Sequence, residues 1–350
     1  MNVLTPQTPE AWNAYVRSFA GWDIYYLCEY AVSLQLHGDG EPLLLCFEYE
    51  GERMCYVVMR KDVANDPRFH GLLPAGRLYD LETPYGYGGP LTDAPLSAKA
   101  QRCFMAELTA YCVEQHIVTQ FLRFHPLLDN HAAISYQVDT RYLRDTIFID
   151  TSSPEVIWAN MDSKNRNMVR KAQRSGVTVR EVPAGEYPAF LNLYRQTMDK
   201  HSADAYYTFD ASYFNYLRDH LPQHTFLLYA ELDGRPISSA IFFHANKTMH
   251  YHLSGSDAAY RNLASGNLLL YKAALWGAAH GVSKLHLGGG MAPDDSLFGF
   301  KKQFNKNGRR EFWVGRSIFN PTSYRELLRL RKAANPFFDT ENGFMIQYRR

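Results

Sequence analysis

Two stretches of this chain share one pattern of apolar and polar positions. LLLCFEYEGERMCYVVM, from Leu43 to Met59, is two apolar runs around Glu50-Gly51, and FLLYAELDGRPISSAIFF, from Phe226 to Phe243, is two apolar runs around Asp233-Gly234. Such runs about an acidic residue and a glycine predict β-hairpins, because a tight two-residue turn needs positive φ at both central positions. Each hairpin is followed by a glycine-bearing strand end: Tyr85-Gly86-Tyr87-Gly88-Gly89-Pro90 in the first, Ser254-Gly255-Ser256 in the second. A long helix comes next (about Leu96 to His116; Leu263 to His280), then a short strand (Gln120 to Phe124; Lys284 to Leu287). The first copy carries about 20 extra residues between hairpin and helix. The repetition reads as an internal duplication or as a coincidence of order.

The second half has a legible beginning. Ser153-Pro154 is an N-cap followed by proline at the first helical position, and predicts a helix running to Arg174 before Gly176 ends it. A strand Val177 to Val182 and helices at about Tyr187 to His201 and Ala211 to His220 lead into the hairpin. After the strand Met249 to Leu253, Leu269, Ala273 and Trp276 fall at helical spacing, and Gly281 is the stop. Lys284 to Leu287 then runs into Gly288-Gly289-Gly290, ten residues before Phe300-Lys301-Lys302-Gln303-Phe304. Three glycines after a strand read equally as a flexible turn and as a place where a ligand approaches backbone. With a strand Phe312 to Ile318, the order is β-α-α-β-β-β-α-β-α-β, a mixed α/β class.

At 350 residues the length predicts two domains, and 46% hydrophobic with 14% aromatic residues is ample for packed cores. No stretch approaches a membrane span, and MNVLTPQTPEAW lacks the basic flank and apolar run of a secretory signal. The expected location is the cytoplasm. Five cysteines (Cys28, Cys46, Cys55, Cys103, Cys112), with no Cys-x-x-Cys pair, read as reduced and mostly core residues. The net charge of +1 hides an asymmetry: residues 300–350 hold 12 basic and four acidic residues, against 25 and 32 in the remainder. A polyanionic partner fits that end; so does a solvated amphipathic helix at Tyr324 to Ala333.

The combination NMVRKAQRSGV (Asn167 to Val177), LYRQTMDKHSADAYY (Leu193 to Tyr207), YHLSGSD (Tyr251 to Asp257), LLLYKAALWGAAHG, LGGG and FKKQF resembles the FemABX family and its BioF2-like GNAT acyltransferase relatives. YGYGGPL in the first half is similar to the corresponding stretch of those families. The resemblance implies two tandem GNAT-like domains with an interdomain cleft: residues 1–150 and residues 151–318, the segment 319–350 packing on the first. It implies transfer of an aminoacyl group from aminoacyl-tRNA to an amine of a peptidoglycan precursor or a similar metabolite. The BioF2-like relatives imply an acyl-CoA donor instead, and a non-catalytic glycan- or peptide-binding module is a third reading. No cofactor is expected unless the donor is acyl-CoA, and no metal.

Acyl transfer to an amine needs a deprotonated acceptor, a donor carbonyl held in line, and positive charge or hydrogen-bond donors where the oxyanion develops. The resemblance puts Lys301 at that charge; on residue type alone it is also a surface lysine. Asp295, like its neighbour Asp294, is a candidate base or orienter of the acceptor, and a loop-solvating residue otherwise. Candidate substrate contacts are Lys200, Tyr251, Tyr85, Tyr87, Gly288, Gly289, Phe300 and Phe304. Lys200 stands in Thr197-x-x-Lys200, where the family has Thr-x-x-Arg, which keeps charge without bidentate geometry. Candidate donor contacts are Arg261, Arg170, Lys302 and Lys306. Arg166, Arg170, Lys171 and Arg174 make a basic helical stripe that is either a solvated face or a phosphate-binding edge. Arg261-Asn262-Leu263-Ala264-Ser265-Gly266 has the wrong glycine spacing for the pyrophosphate loop of coenzyme A-dependent enzymes. His250 and His252 are expected on one side of a strand, more as satisfied strand residues than as a metal pair.

Overall fold

The computed structural model describes residues 1–135, 137–183, 187–200 and 205–350, apart from the side chains of Lys200 and Ala205. The chain divides into two units, one of residues 1–143 with 312–350 and one of residues 144–311. The first begins with β1 (Asn2–Leu4), α1 (Pro9–Arg17), α2 (Cys28–Leu36), β2 (Glu41–Tyr49) and β3 (Glu52–Asp62). It goes on through β4 (Tyr79–Glu82), β5 (Leu91–Thr92), α3 (Ala98–Glu114) and β6 (Ile117–Arg123). The β2–β3 turn has φ of 49° at Glu50 and 84° at Gly51, the paired positive values that the acidic-glycine signal predicts. β1, β2, β3 and β4 are antiparallel neighbours, and β6 returns parallel to β4 across α3. The side chain of Ser97 caps α3, accepting from Ala100 N at 3.1 Å. Ala100, Phe104, Leu108 and Cys112, four apart, then press one helix face onto Leu43, Leu45, Phe47, Tyr56 and Val58 of the sheet.

The second unit begins within β7 (Asp139–Asp150) and continues with α4 (Pro154–Asn160), α5 (Ser163–Arg174), β8 (Thr178–Val182), α6 (Tyr187–Lys200) and α7 (Ala211–His220). Then come β9 (Thr225–Leu232), β10 (Arg235–Ala245), β11 (Thr248–Ser256), α8 (Ser265–Ala279), β12 (Lys284–Gly288) and α9 (Ser296–Lys302). The predicted single helix from Ser153 to Arg174 is two helices. Met161 is extended at ψ 138° and buried, Asp162 N donates to Gln303 O at 2.9 Å, and Lys306 N donates to Asn160 O at 3.0 Å. The turn at residues 303–306 thus holds the break open, and Arg166 donates to Trp158 O and Met161 O at the end of α4. β8, β9, β10 and β11 are antiparallel neighbours and β12 is parallel to β11, which repeats the pairing of β1, β2, β3, β4 and β6.

The chain closes with β13 (Arg309–Ile318) and α10 (Pro321–Ala334). Residues Val314–Ile318 pair with β6, so the strand expected to finish the second domain belongs to the first unit; residues Ile147–Asp150 of β7 pair with β12 instead. In the first unit Tyr324, Leu327, Ile346 and Tyr348 pack with Val63, Phe69, Leu73, Leu78 and Val118 in a second apolar cluster. Cys28, Cys46, Cys55 and Cys112 are free and buried, and Cys103 is free and half-buried. Among the described residues no helix is long and apolar enough to cross a membrane.

Candidate active site

The site grows from the end of one strand pair. β11 and β12 pair only at Thr248↔Lys284, Met249↔Leu285 and His250↔His286, although β11 continues to Ser256 and β12 to Gly288. Beyond the histidines the two parallel strands part. In the first unit the corresponding β4 and β6 stay laced past their ladder: Thr83 N donates to Phe121 O at 3.1 Å, Arg123 N to Thr83 Oγ1 at 3.0 Å, and Gly88 N to Arg123 O at 2.8 Å.

The triple glycine leaves β12 under tight constraint. Gly288 has φ 74°, in the left-handed region that favours glycine, and a Cβ on Gly290 would lie 2.1 Å from Asp295 Oδ1. This is a close-approach turn, with no room for a side chain. Asp295 N-caps α9: its carboxylate accepts from Met291 N at 2.6 Å, Ala292 N at 2.9 Å and Phe298 N at 2.7 Å. Those backbone donors hold the carboxyl below its ordinary value. A carboxylate so engaged is a structural acceptor, and the expectation of Asp295 as a base is corrected on that ground. Asp294 is exposed at φ 52° beside Arg309.

On α9 Phe298 and Lys301 are three apart and both turn inward, whereas Lys302 is exposed. Lys301 is 8% exposed and donates through Nζ to Gly289 O at 2.7 Å. Its Nζ lies 5.9 Å from the centroid of the Tyr251 ring, whose hydroxyl donates to Ser254 Oγ at 2.6 Å. Burial pulls the Lys301 amine down to about 8, against the nearby Asp295 carboxylate, which raises it. Burial also raises the Tyr251 phenol. At neutral pH Lys301 is therefore mostly an ammonium, desolvated and fixed where the strands part. Such a charge suits an oxyanion more than it suits a surface.

The structure gathers Lys301, Tyr251 and Gly289 around the end of β12, with Gly288 at the strand end and Phe300 half-buried on α9. Phe304 is fully buried in the core against Phe300, at 5.3 Å between ring centroids, which removes it from the substrate contacts. Lys306 is exposed and takes part through its backbone in the α4 break. Arg170 is exposed with its guanidinium 5.1 Å over the Trp158 ring, and Arg166 is spent on α4 carbonyls, so the basic stripe is partly structural. Arg261 is exposed in the 3-10 turn before α8. Tyr85 and Tyr87 belong to the first unit; Tyr85 O accepts from Tyr30 OH at 2.6 Å and Tyr87 packs edge-on to Phe312. The Lys200 side chain lies outside the described residues. His250 packs edge-on against His286, its ladder partner on β12, at 5.7 Å between ring centroids, and His252 bonds Tyr213 OH at 2.7 Å. Both fall on one side of the strand: Phe243 pairs with His250 and packs its ring 4.2 Å from that of His252.

Residues 162–302 match the family described as an acetyltransferase (GNAT) domain. The second unit carries a GNAT domain. In that GNAT domain the parted strands and α9 are the features around which Lys301 is placed. Over 93% of this chain and 99% of the other, the fold is similar to that of FemX, with a TM-score of 0.65 at 14% identity. It is also similar to the C-terminal domain of a putative lysylphosphatidylglycerol synthetase from Agrobacterium fabrum, at TM-score 0.54 and 13% identity over 94% of each chain. L-PGS from Bacillus licheniformis matches at TM-score 0.54 and 14% identity over 92% of this chain and 96% of that one. At these identities the likeness is one of fold. No curated protein matches the sequence.

Arg144 had no signal in the sequence. Its Nη1 donates to Gly290 O at 2.6 Å and to Met291 O at 2.5 Å, across 146 and 147 positions of chain, and no local pattern encodes such a partner.

Proposed function

We propose that this protein forms an amide by moving an aminoacyl group from aminoacyl-tRNA to an amine of a peptidoglycan precursor or a comparable metabolite. The observation that carries the transferase reading is the buried Lys301 ammonium on Gly289 O, where β11 and β12 part. In this reading the donor carbonyl lies at the parted strands and Lys301 stabilises the oxyanion as the acceptor amine attacks, the carrier hydroxyl leaving with a proton. Tyr251 and the backbone of Gly288 and Gly289 line the approach, and no covalent enzyme intermediate is required. The tRNA donor is supported by the basic balance of residues 300–350 and by the likeness to FemX.

A second reading is an acyl-CoA-dependent N-acyltransferase. It is favoured by the N-terminus of α8, where Ala264 adopts φ 58° and no side chain caps the helix among the described residues. Arg261 is exposed just before it, and a Cβ on Gly266 would meet nothing within 4 Å. Such a terminus suits a pyrophosphate. Product formation with charged tRNA and with acyl-CoA, each with and without RNase, separates the two. Aminoacyl transfer is expected to be lost on RNase treatment and to weaken steeply with salt. Equal RNase-resistant turnover with acyl-CoA assigns the second reading, and ligand binding without turnover on either donor leaves a binding module.

A further inference from the structure

The geometry points to Arg144 and Asp295 as a pair of positioning residues that clamp the loop from Gly289 to Ala292 and so fix where Lys301 sits. This rests on the assignment of Lys301 to the proposed transfer. The loop is gripped through both kinds of backbone group: Arg144 Nη1 takes the carbonyls of Gly290 and Met291 at 2.6 and 2.5 Å, and the Asp295 carboxylate takes the N–H groups of Met291 and Ala292 at 2.6 and 2.9 Å. Gly290 is pressed so closely between them that any Cβ would overlap Asp295. The carbonyl just before this clamp, Gly289 O, is the one that holds Lys301 Nζ at 2.7 Å.

Asp295 acts from a second direction. As N-cap of α9 it accepts from Phe298 N at 2.7 Å and sets the start of the seven-residue helix that carries Lys301 near its end. One carboxylate therefore ties the residue that donates and the loop that accepts into a single rigid unit. A lysine with four rotatable carbons needs such support before its ammonium can be preorganised at a reacting carbonyl. The groups facing Lys301 are the Gly289 carbonyl from the end of β12, the Tyr251 ring from β11 and the Asp295 carboxylate from the cap of α9. Asp295 is the anion among them, so its charge keeps the amine protonated against burial.

Competitive labelling of the full chain with a trace of acetic anhydride across a pH series, read by mass spectrometry, tests this without any substrate. Wild-type Lys301 is expected to titrate near 8, well below exposed Lys302. Asp295→Asn is expected to move the Lys301 midpoint lower still, since the anion that opposes burial is gone. Arg144→Gln, which lies off α9, is expected to release the loop and raise the labelling rate of Lys301 while Lys302 stays unchanged. Should Asp295→Asn fail to fold by circular dichroism, Arg144→Gln decides. In the transfer assay both variants are expected to lower kcat with KM nearly kept. Labelling of Lys301 identical to wild type in folded variants overturns the clamp. Altered labelling together with full activity of Lys301→Ala leaves the clamp standing and overturns the proposed transfer chemistry instead.

Discussion

A charged lysine in an apolar interior is unfavourable unless something holds it; Lys301 donates to the Gly289 carbonyl and feels the charge of the nearby Asp295 carboxylate. Its inward position follows from the spacing on a short helix, where positions three apart share a face, which turns Lys301 in with Phe298 and turns Lys302 out. Phe304 follows the same logic one step further and ends in the core, where an aromatic ring gains more from burial than from a substrate. If the ammonium acts only in the transition state, Lys301→Ala should lower kcat by roughly 10²- to 10³-fold with KM nearly unchanged. Exposed Lys247→Ala is the control, and steady-state kinetics on the same acceptor make the comparison. The pH dependence has a definite sign. The active form is protonated, so kcat should be retained below about 8 and fall as pH rises through it. A rate that climbs through that range would instead assign Lys301 as a base.

Among the elements, hairpins and the long crossover helices were predicted well because their signals are local: paired positive φ at Asp233 (49°) and Gly234 (76°), a Ser97 cap, apolar residues four apart. The helix from Ser153 was misread where a tertiary contact intervenes. Asp162 begins α5 without a side-chain cap bond, and it is the 303–306 turn that holds the chain extended at Met161. Gly255 shows a constraint of the same kind. A Cβ there would lie 2.3 Å from Leu193 C and Tyr194 N, so β11 and α6 touch backbone to backbone. Gly255→Ala should destabilise the second unit by about 1–3 kcal/mol through overpacking, since backbone cannot swing aside as a side chain can. A fall in the thermal midpoint checks it, and an unchanged midpoint would mean that α6 shifts freely on β11.

At the scale of the molecule the chain writes one strand order twice, and the two versions differ where it matters. Strands β11 and β12 part after His250 and His286, whereas β4 and β6 remain tied through Thr83, Gly88 and Arg123, so the two units differ at this strand end. The first unit is finished by the chain end: Arg349 donates to Asp80 at 2.9 Å and to Glu82 at 2.8 Å, and Tyr348 OH to Asp80 at 2.6 Å. Burial tends to raise the Glu82 carboxyl, but Lys61 and Arg349 outweigh it and bring it down to about 2. Deleting the last three residues strands these carboxylates and should destabilise the protein by about 3–5 kcal/mol. Because the folded value lies below the unfolded one, that stabilisation is present above the usual carboxylate range and lost as pH falls toward 2. Melting of full-length and truncated chains at neutral and acid pH should therefore converge on acidification; a constant difference would assign the loss to Tyr348 packing. What the sequence determined by itself was the two hairpins, the long helices that follow them and the repeated order of these elements, because each rests on periodicities and turn chemistry spanning only a few residues. The break at Met161, the exchange that pairs β7 with β12 and β13 with β6, and the Arg144 grip on the glycine loop were decided only by tertiary structure. Each joins groups more than a hundred residues apart, and no local pattern carries that information.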